Sequence, residues 1–179
     1  IEEAAGQAAD NVYARYRASH RRFVSIAVDA ANAAHISYTP VFLDPVYGQW
    51  ARPYSQLAYA TNRTGTWTTQ IVHQPPDDSG DSGAGSSIAV APDGQPAIAQ
   101  FYMDRVSTGS PSLARLQYHK RQANGTWATE IVASAPDGYV AGDGPQFTGF
   151  APHLLFDREG TPHIAFSDYA VQHFPQTGA

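Results

Sequence analysis

Apolar and polar positions alternate with a period of two through short runs of this chain, and each run ends in turn-forming residues. Ser25-Ile26-Ala27-Val28 and His35-Ile36-Ser37-Tyr38 flank a turn over residues 29–34. Such alternation predicts half-buried strands joined as a hairpin. The unit recurs as SIAVAPDGQPAIAQF, where Ser87 takes the place of Ser25, and as HLLFDREGTPHIAF, where His153 does. In the later copies Asp93-Gly94 and Glu159-Gly160 supply the positive φ that a tight hairpin needs. The first copy has Ala31-Asn32 there, and Asn is the next-best residue for that conformation. A third strand follows over 56–61 and again over 113–120. After turns at Thr64-Gly65 and Asn124-Gly125, a fourth runs over 67–72 and 127–132.

Residues 1–22 stand outside the repeat. Ile1, Ala4, Ala5, Ala8, Ala9, Val12, Tyr13 and Tyr16 fall on a 3.6-residue period, with Glu2 and Glu3 near the start and Arg15, Arg17, Arg21 and Arg22 near the far end. That order of charges suits a helix dipole, so a short helix over 1–17 is expected, with a strand over 11–18 as the competing reading. The rest divides into repeats over about 23–73 and 86–133, and an incomplete one over 151–179.

Four short antiparallel strands per repeat is the pattern of one propeller blade. The residues S-I-A-V, x-x-G-x-P-H-I, L-x-Y and G-T-W-x-T-x-I-V together resemble the bacterial sialidase-like, Asp-box-related β-propeller repeats. The resemblance covers about 23–174. It implies an all-β fold, a partial propeller of four-stranded blades, in a secreted or extracellular protein. One departure stands out: an Asp box places Gly three residues before the Trp and Asp two before that Gly. Here Gly65 and Gly125 stand two before Trp67 and Trp127, and no Asp holds the box position. Propellers close with about four to eight blades, so two and a half repeats leave open edges. Further blades, from the same longer chain or from other subunits, are therefore expected. The end of the chain where a third strand of the last repeat is due favours a fragment, and residues 1–22 are a candidate to dock on an open edge.

Composition narrows the function classes. A net charge of −5 and a pI near 5.7 argue against nucleic acid. No apolar run approaches the length of a membrane span. Cysteine is absent, which removes disulfides, thiolate metal sites and Cys nucleophiles. The sequons at Asn62 and Asn124 fall at turns, and turn chemistry accounts for them without a sugar.

The most distinctive loop is TPVFLDPVYGQWARPYS, residues 39–55. Phe42, Tyr47, Trp50 and Tyr54 are interleaved there with Asp44 and Arg52. Aromatic faces stack on the C–H faces of sugars, and a carboxylate and a guanidinium hold hydroxyl or acidic groups. These six are the candidate ligand-binding residues; the competing reading has the aromatics pin the loop, stiffened by Pro40, Pro45 and Pro53. His35 and His163 recur at one repeat position where the second copy has Ala97, which favours a structural histidine bonded to a neighbouring loop. His163, Asp168, Tyr169 and His173 gather acid, base and phenol in a short segment, a weaker candidate for catalysis. Asp29 and Asp157 share a position before a turn, which favours turn geometry over catalysis. Arg52, Arg105 and Arg115 do not correspond in the repeat and give thin support to a sialidase-type carboxylate site. Asp77-x-Ser79-x-Asp81-x-Gly83 is spaced like the start of a calcium loop. It lacks the sixth-position Gly, and Ile88 replaces the acid at the twelfth. An acidic linker is the favoured reading there, and no metal or cofactor is expected. The leading expectation is a non-enzymatic extracellular module that binds glycan or protein through its loops. A sialidase-like hydrolase or a polysaccharide lyase, or a purely structural domain, are the alternatives.

Overall fold

The structure, a computed structural model, describes residues 24–42, 54–75, 80–104, 113–134 and 146–170. Every regular element among them is a β-strand. The helix expected over 1–17 lies outside the described residues, and no helix occurs among those described.

The first repeat forms one antiparallel sheet of β1 (Val24–Val28), β2 (Ala34–Tyr38), β5 (Leu57–Thr61) and β6 (Thr68–His73), in that order. Between β2 and β5 the chain makes a two-stranded ribbon, β3 (Val41–Phe42) with β4 (Tyr54–Ser55). The second repeat forms β7 (Gly80–Val90), β8 (Pro96–Asp104), β9 (Leu113–Arg121) and β10 (Trp127–Ser134), and β4 joins its β7 edge in parallel at Ser55 and Asp81. The third contributes the hairpin β11 (Gln146–Phe156) and β12 (Pro162–Ala170). Four-stranded antiparallel sheets are thus present as expected, while no closed ring of sheets occurs among the described residues.

The turns follow their sequence signals. Asn32 has φ 62°, and Gly94 and Gly160 have φ 77° and 85° at the equivalent place. Gly65 and Gly125 close the other turns, their amides bonded to the carbonyls of Asn62 and Gln122. The segment Gly80–Ser86 departs from expectation. The acidic linker expected over 77–83 is in its described part, from Gly80, already strand: Gly80–Ser86 is the first part of β7, paired with the end of β8 from Asp104 to Gln100 across a bulge. The same pairing places Asp81 in extended backbone opposite Met103, so residues 80–83 do not wrap into a calcium loop.

The sheets stack face on face, because each strand presents one apolar set per side. Leu57, Tyr59, Ile88 and Ile98 form the core between the first and second sheets, with Trp127 packed against it. Ala97, Ala99, Leu116, Tyr118 and Leu154 form the core between the second sheet and the third-repeat hairpin, with Phe156 and Ile164 at its side. The centre of the second sheet is therefore buried on both faces: neighbours Ala97, Ile98 and Ala99 point alternately to opposite sides and all are fully buried. Burying a side chain the size of Ile98 or Leu116 contributes roughly 1.5–3 kcal/mol.

Equivalent hydrogen bonds lock the two stacks in one register. The Ile88 amide donates to Ser25 Oγ at 3.2 Å, and the Leu154 amide donates to Ser87 Oγ at 3.0 Å. Trp127 Nε1 reaches back to Gln70 Oε1 at 3.1 Å while its ring meets Tyr59 edge-on. One contact is tighter than any side chain would permit. Gly149, at φ 84° in a bulge of β11, lies so close to β9 that a Cβ there would stand 2.5 Å from Leu116 Cβ.

Candidate functional site

Antiparallel pairing sorts the connections to two ends of the stack. The tight turns share one end: Arg63 Nη1 donates to Gly94 O at 3.1 Å, and Gly160 faces the Pro92 ring. Every connection from β2 to β5, β6 to β7, β8 to β9 and β10 to β11 leaves from the other end. The candidate loop begins there. Its base is the β3–β4 ribbon, in which Phe42 is paired directly with Tyr54. The ribbon belongs by sequence to the first repeat but hydrogen-bonds to the second sheet, so the loop is rooted across two sheets. Asp44, Tyr47, Trp50 and Arg52 lie outside the described residues, so the structure brings together only the Phe42 and Tyr54 backbones of the six candidates.

At the turn end the structure resolves what the recurring histidines do. Asp29 Oδ1 accepts the amides of Ala31 and Ala33, at 2.9 and 2.8 Å, and thereby caps its turn. Its Oδ2 lies 3.3 Å from His35 Nε2, and His35 Nδ1 lies 2.6 Å from the Tyr59 hydroxyl. The turn amide of Ala33, with help from His35 and Ala31, holds the Asp29 carboxyl below its ordinary 3.8 despite the opposing cost of burial. Burial raises the Tyr59 phenol, so it is protonated at neutral pH. The third repeat repeats the arrangement. Asp157 Oδ1 accepts the Thr161 amide at 2.7 Å, and Oδ2 lies 3.0 Å from His163 Nε2. His163, ahead of the Thr161 amide, lowers the Asp157 carboxyl. In the second repeat Ala91 and Ala97 replace both partners at once.

These findings correct one reading and support another. The histidine is structural, but its partner is the aspartate of its own turn, not a neighbouring loop. Asp29 and Asp157 serve turn geometry, as their shared position implied. His35 is fully buried and Tyr59 is 3% exposed, so the Asp29–His35–Tyr59 chain has acid–base groups in line and no opening to a substrate. The proposed pairing of His163 with Asp168 is not formed. They stand five residues apart on β12, on opposite faces and roughly 17 Å from each other along an extended strand. Tyr169 shares the Asp168 end of β12, and His173 lies outside the described residues. Of the three arginines only Arg115 is described, paired with Tyr102 across β8 and β9.

A second polar group, missed in the sequence, fills the seam between the first two sheets. Gln100 Nε2 donates to Gln117 Oε1 at 2.6 Å and lies 3.4 Å from His73 Nδ1. The His73 and His119 rings are 5.7 Å apart, and Thr129 Oγ1 lies 2.9 Å from His119 Nδ1. Burial, reinforced by the neighbouring His73, pushes His119 down to about 3, and burial also lowers His73. The two rings are neutral at physiological pH, and His119 Nε2 is buried without a hydrogen bond. The available signal was Gln100 and Gln117 each flanked by apolar residues, with His119 two positions beyond Gln117 on the same side of β9. Among the described residues no group of three or more His, Asp or Glu side chains is placed to hold a metal ion.

Comparison with protein-family models, with curated proteins and with solved structures gives no significant match.

Proposed function

We propose that this chain is an extracellular recognition module of the sialidase-like β-propeller kind, binding a glycan or protein ligand through the long connections at one end of its sheets. The observation that carries this reading is the division between the two ends. Tight, hydrogen-bonded turns close one end, and the candidate loop rises from the other on a ribbon tied to a second sheet. Rigid scaffold beneath a long aromatic connection is how binding surfaces are built. Asp44, Tyr47, Trp50 and Arg52 are the side chains assigned to the ligand, with Phe42 and Tyr54 at the base. The hydrolase or lyase reading has less support, because the acid and base proposed for it point to opposite faces of β12 and the buried Asp29–His35 pair is sealed.

A glycan array probed with the wild-type chain and with Trp50→Ala and Tyr47→Ala tests the reading. Loss of bound sugars in both variants, with unchanged circular dichroism, is the expected result. An unchanged binding pattern would remove the loop from the site.

A further inference from the structure

The two inter-sheet contacts are copies of one interface, and the first sheet carries half of a third. Ile26, Ile88 and Leu154 occupy one repeat position. Ile88 is 5% exposed and Leu154 7%, each covered by the sheet before it, whereas Ile26 is 62% exposed. Val24 and Val28 beside it are 68% and 60% exposed. The tryptophans repeat the contrast: Trp127 is clamped on Gln70 and Tyr59 of the preceding sheet, and its counterpart Trp67 is 50% exposed. An apolar stripe of this kind marks an interaction surface. The complementary half also stands open. On the far side of the third-repeat hairpin, Leu155 is 58% exposed at the position where Ala27 and Ala89 pack against the next sheet. His153 there holds the place of Ser25 and Ser87, with a ring nitrogen where they have a hydroxyl.

We infer that the exposed flanks of the outer face of the first sheet, the β1 stripe Val24, Ile26 and Val28 and the Trp67 ring, on either side of the buried Ala58 and Ala60, are a docking surface for the β11–β12 hairpin of a second copy of this chain, joined head to tail. The occupant follows from the interior of the molecule. What covers Ile88 and Leu154 in each case is the back of a sheet of this same repeat, held in register by one acceptor for the amide of that residue. Such a contact is heterologous, using different surfaces on the two partners. It does not depend on what the loops bind.

Sedimentation velocity on the full chain over a range of concentrations tests this, with Ile26→Asp and Leu155→Asp as probes and circular dichroism to confirm folding. The wild type is expected to self-associate, and each variant alone to need about tenfold or more higher concentration, equivalent to about 1.4 kcal/mol. Their equimolar mixture is expected to recover dimers, because each retains the half that the other has lost. Trp67→Ala, which adds no charge, should weaken association in the same direction. A wild-type monomer at every concentration overturns the inference. So does association lost in Ile26→Asp but untouched in Leu155→Asp, or a mixture that stays monomeric, since either outcome means that something other than the hairpin covers this face.

Discussion

A single carboxylate does two jobs at Asp29: it caps a turn with one oxygen and orients a histidine with the other. Its lowered pKa means that the folded state favours the charged form. The stability it contributes is complete above the ordinary carboxylate range and is lost as pH falls through the depressed folded value. Asp29→Asn keeps an acceptor for the turn and removes the charge, so its melting temperature should fall below that of the wild type at pH 7 and the gap should close in strong acid. The buried histidines act in a different window. His119 titrates near 6.5 when unfolded and at about 3 when folded, so the unfolded chain binds the extra proton between those values. Stability should therefore drop as pH falls below 6.5, by up to about 1.4 kcal/mol per pH unit for each such histidine, and level off only near pH 3. His73 adds to the same slope because its shift has the same direction. Urea unfolding of the wild type and His119→Gln at several pH values measures this; equal slopes for the two would show that His119 is not the group responsible.

Strand positions were readable from period-two alternation, and the hairpin turns from Asn32, Gly94 and Gly160, because both signals are local. Three features at the scale of elements were not. The glycine-rich run at 80–86 looks like a linker, yet the far end of β8 gives it a hydrogen-bonding partner. The β3–β4 ribbon is too short to show an alternation, and it exists by pairing with another repeat. The bulge at Gly149 answers to a neighbour on a different sheet. Gly149→Ala combines a left-handed conformation with a collision at Leu116 and is expected to cost about 2–4 kcal/mol. Ala151, two residues beyond Gly149 in the same bulged stretch and at φ 48°, gives the opposite case. Ala151→Gly should be neutral or stabilising by up to about 1 kcal/mol, since it removes left-handed strain and no buried surface of consequence. Chemical denaturation of both variants separates conformational strain from close approach.

For the molecule as a whole, β8 and β9 of the second sheet are the keystone, buried on both faces, and truncations there should be the most damaging. Leu116→Ala is expected to lose about 2–5 kcal/mol, while Ile26→Ala, on the open face of the first sheet, should change monomer stability by under about 1 kcal/mol. Thermal melts at low concentration compare them directly, and comparable losses at the two sites would mean that the first sheet is covered. The sister residues also explain how the repeat tolerates change. Where the second sheet has the small Ala97, the hairpin opposite supplies Leu154 and Phe156; where the first sheet has His35, the ring is held by Asp29 and Tyr59 of its own sheet.

Alternation, turn chemistry and self-similarity by themselves determined that this protein is a set of four-stranded antiparallel units, because each of those signals depends on residues a few positions apart. Tertiary structure decided which side of each strand is buried, that His35 and His163 answer to their own turn aspartates, and that Gln100, Gln117 and His119 meet His73 in a shared seam. It also made two identical repeat positions, Ile26 and Ile88, differ completely in exposure. The reason is physical: burial is conferred by the sheet that happens to lie opposite, and that neighbour is set by stacking order, to which a residue's own surroundings in the chain carry no reference.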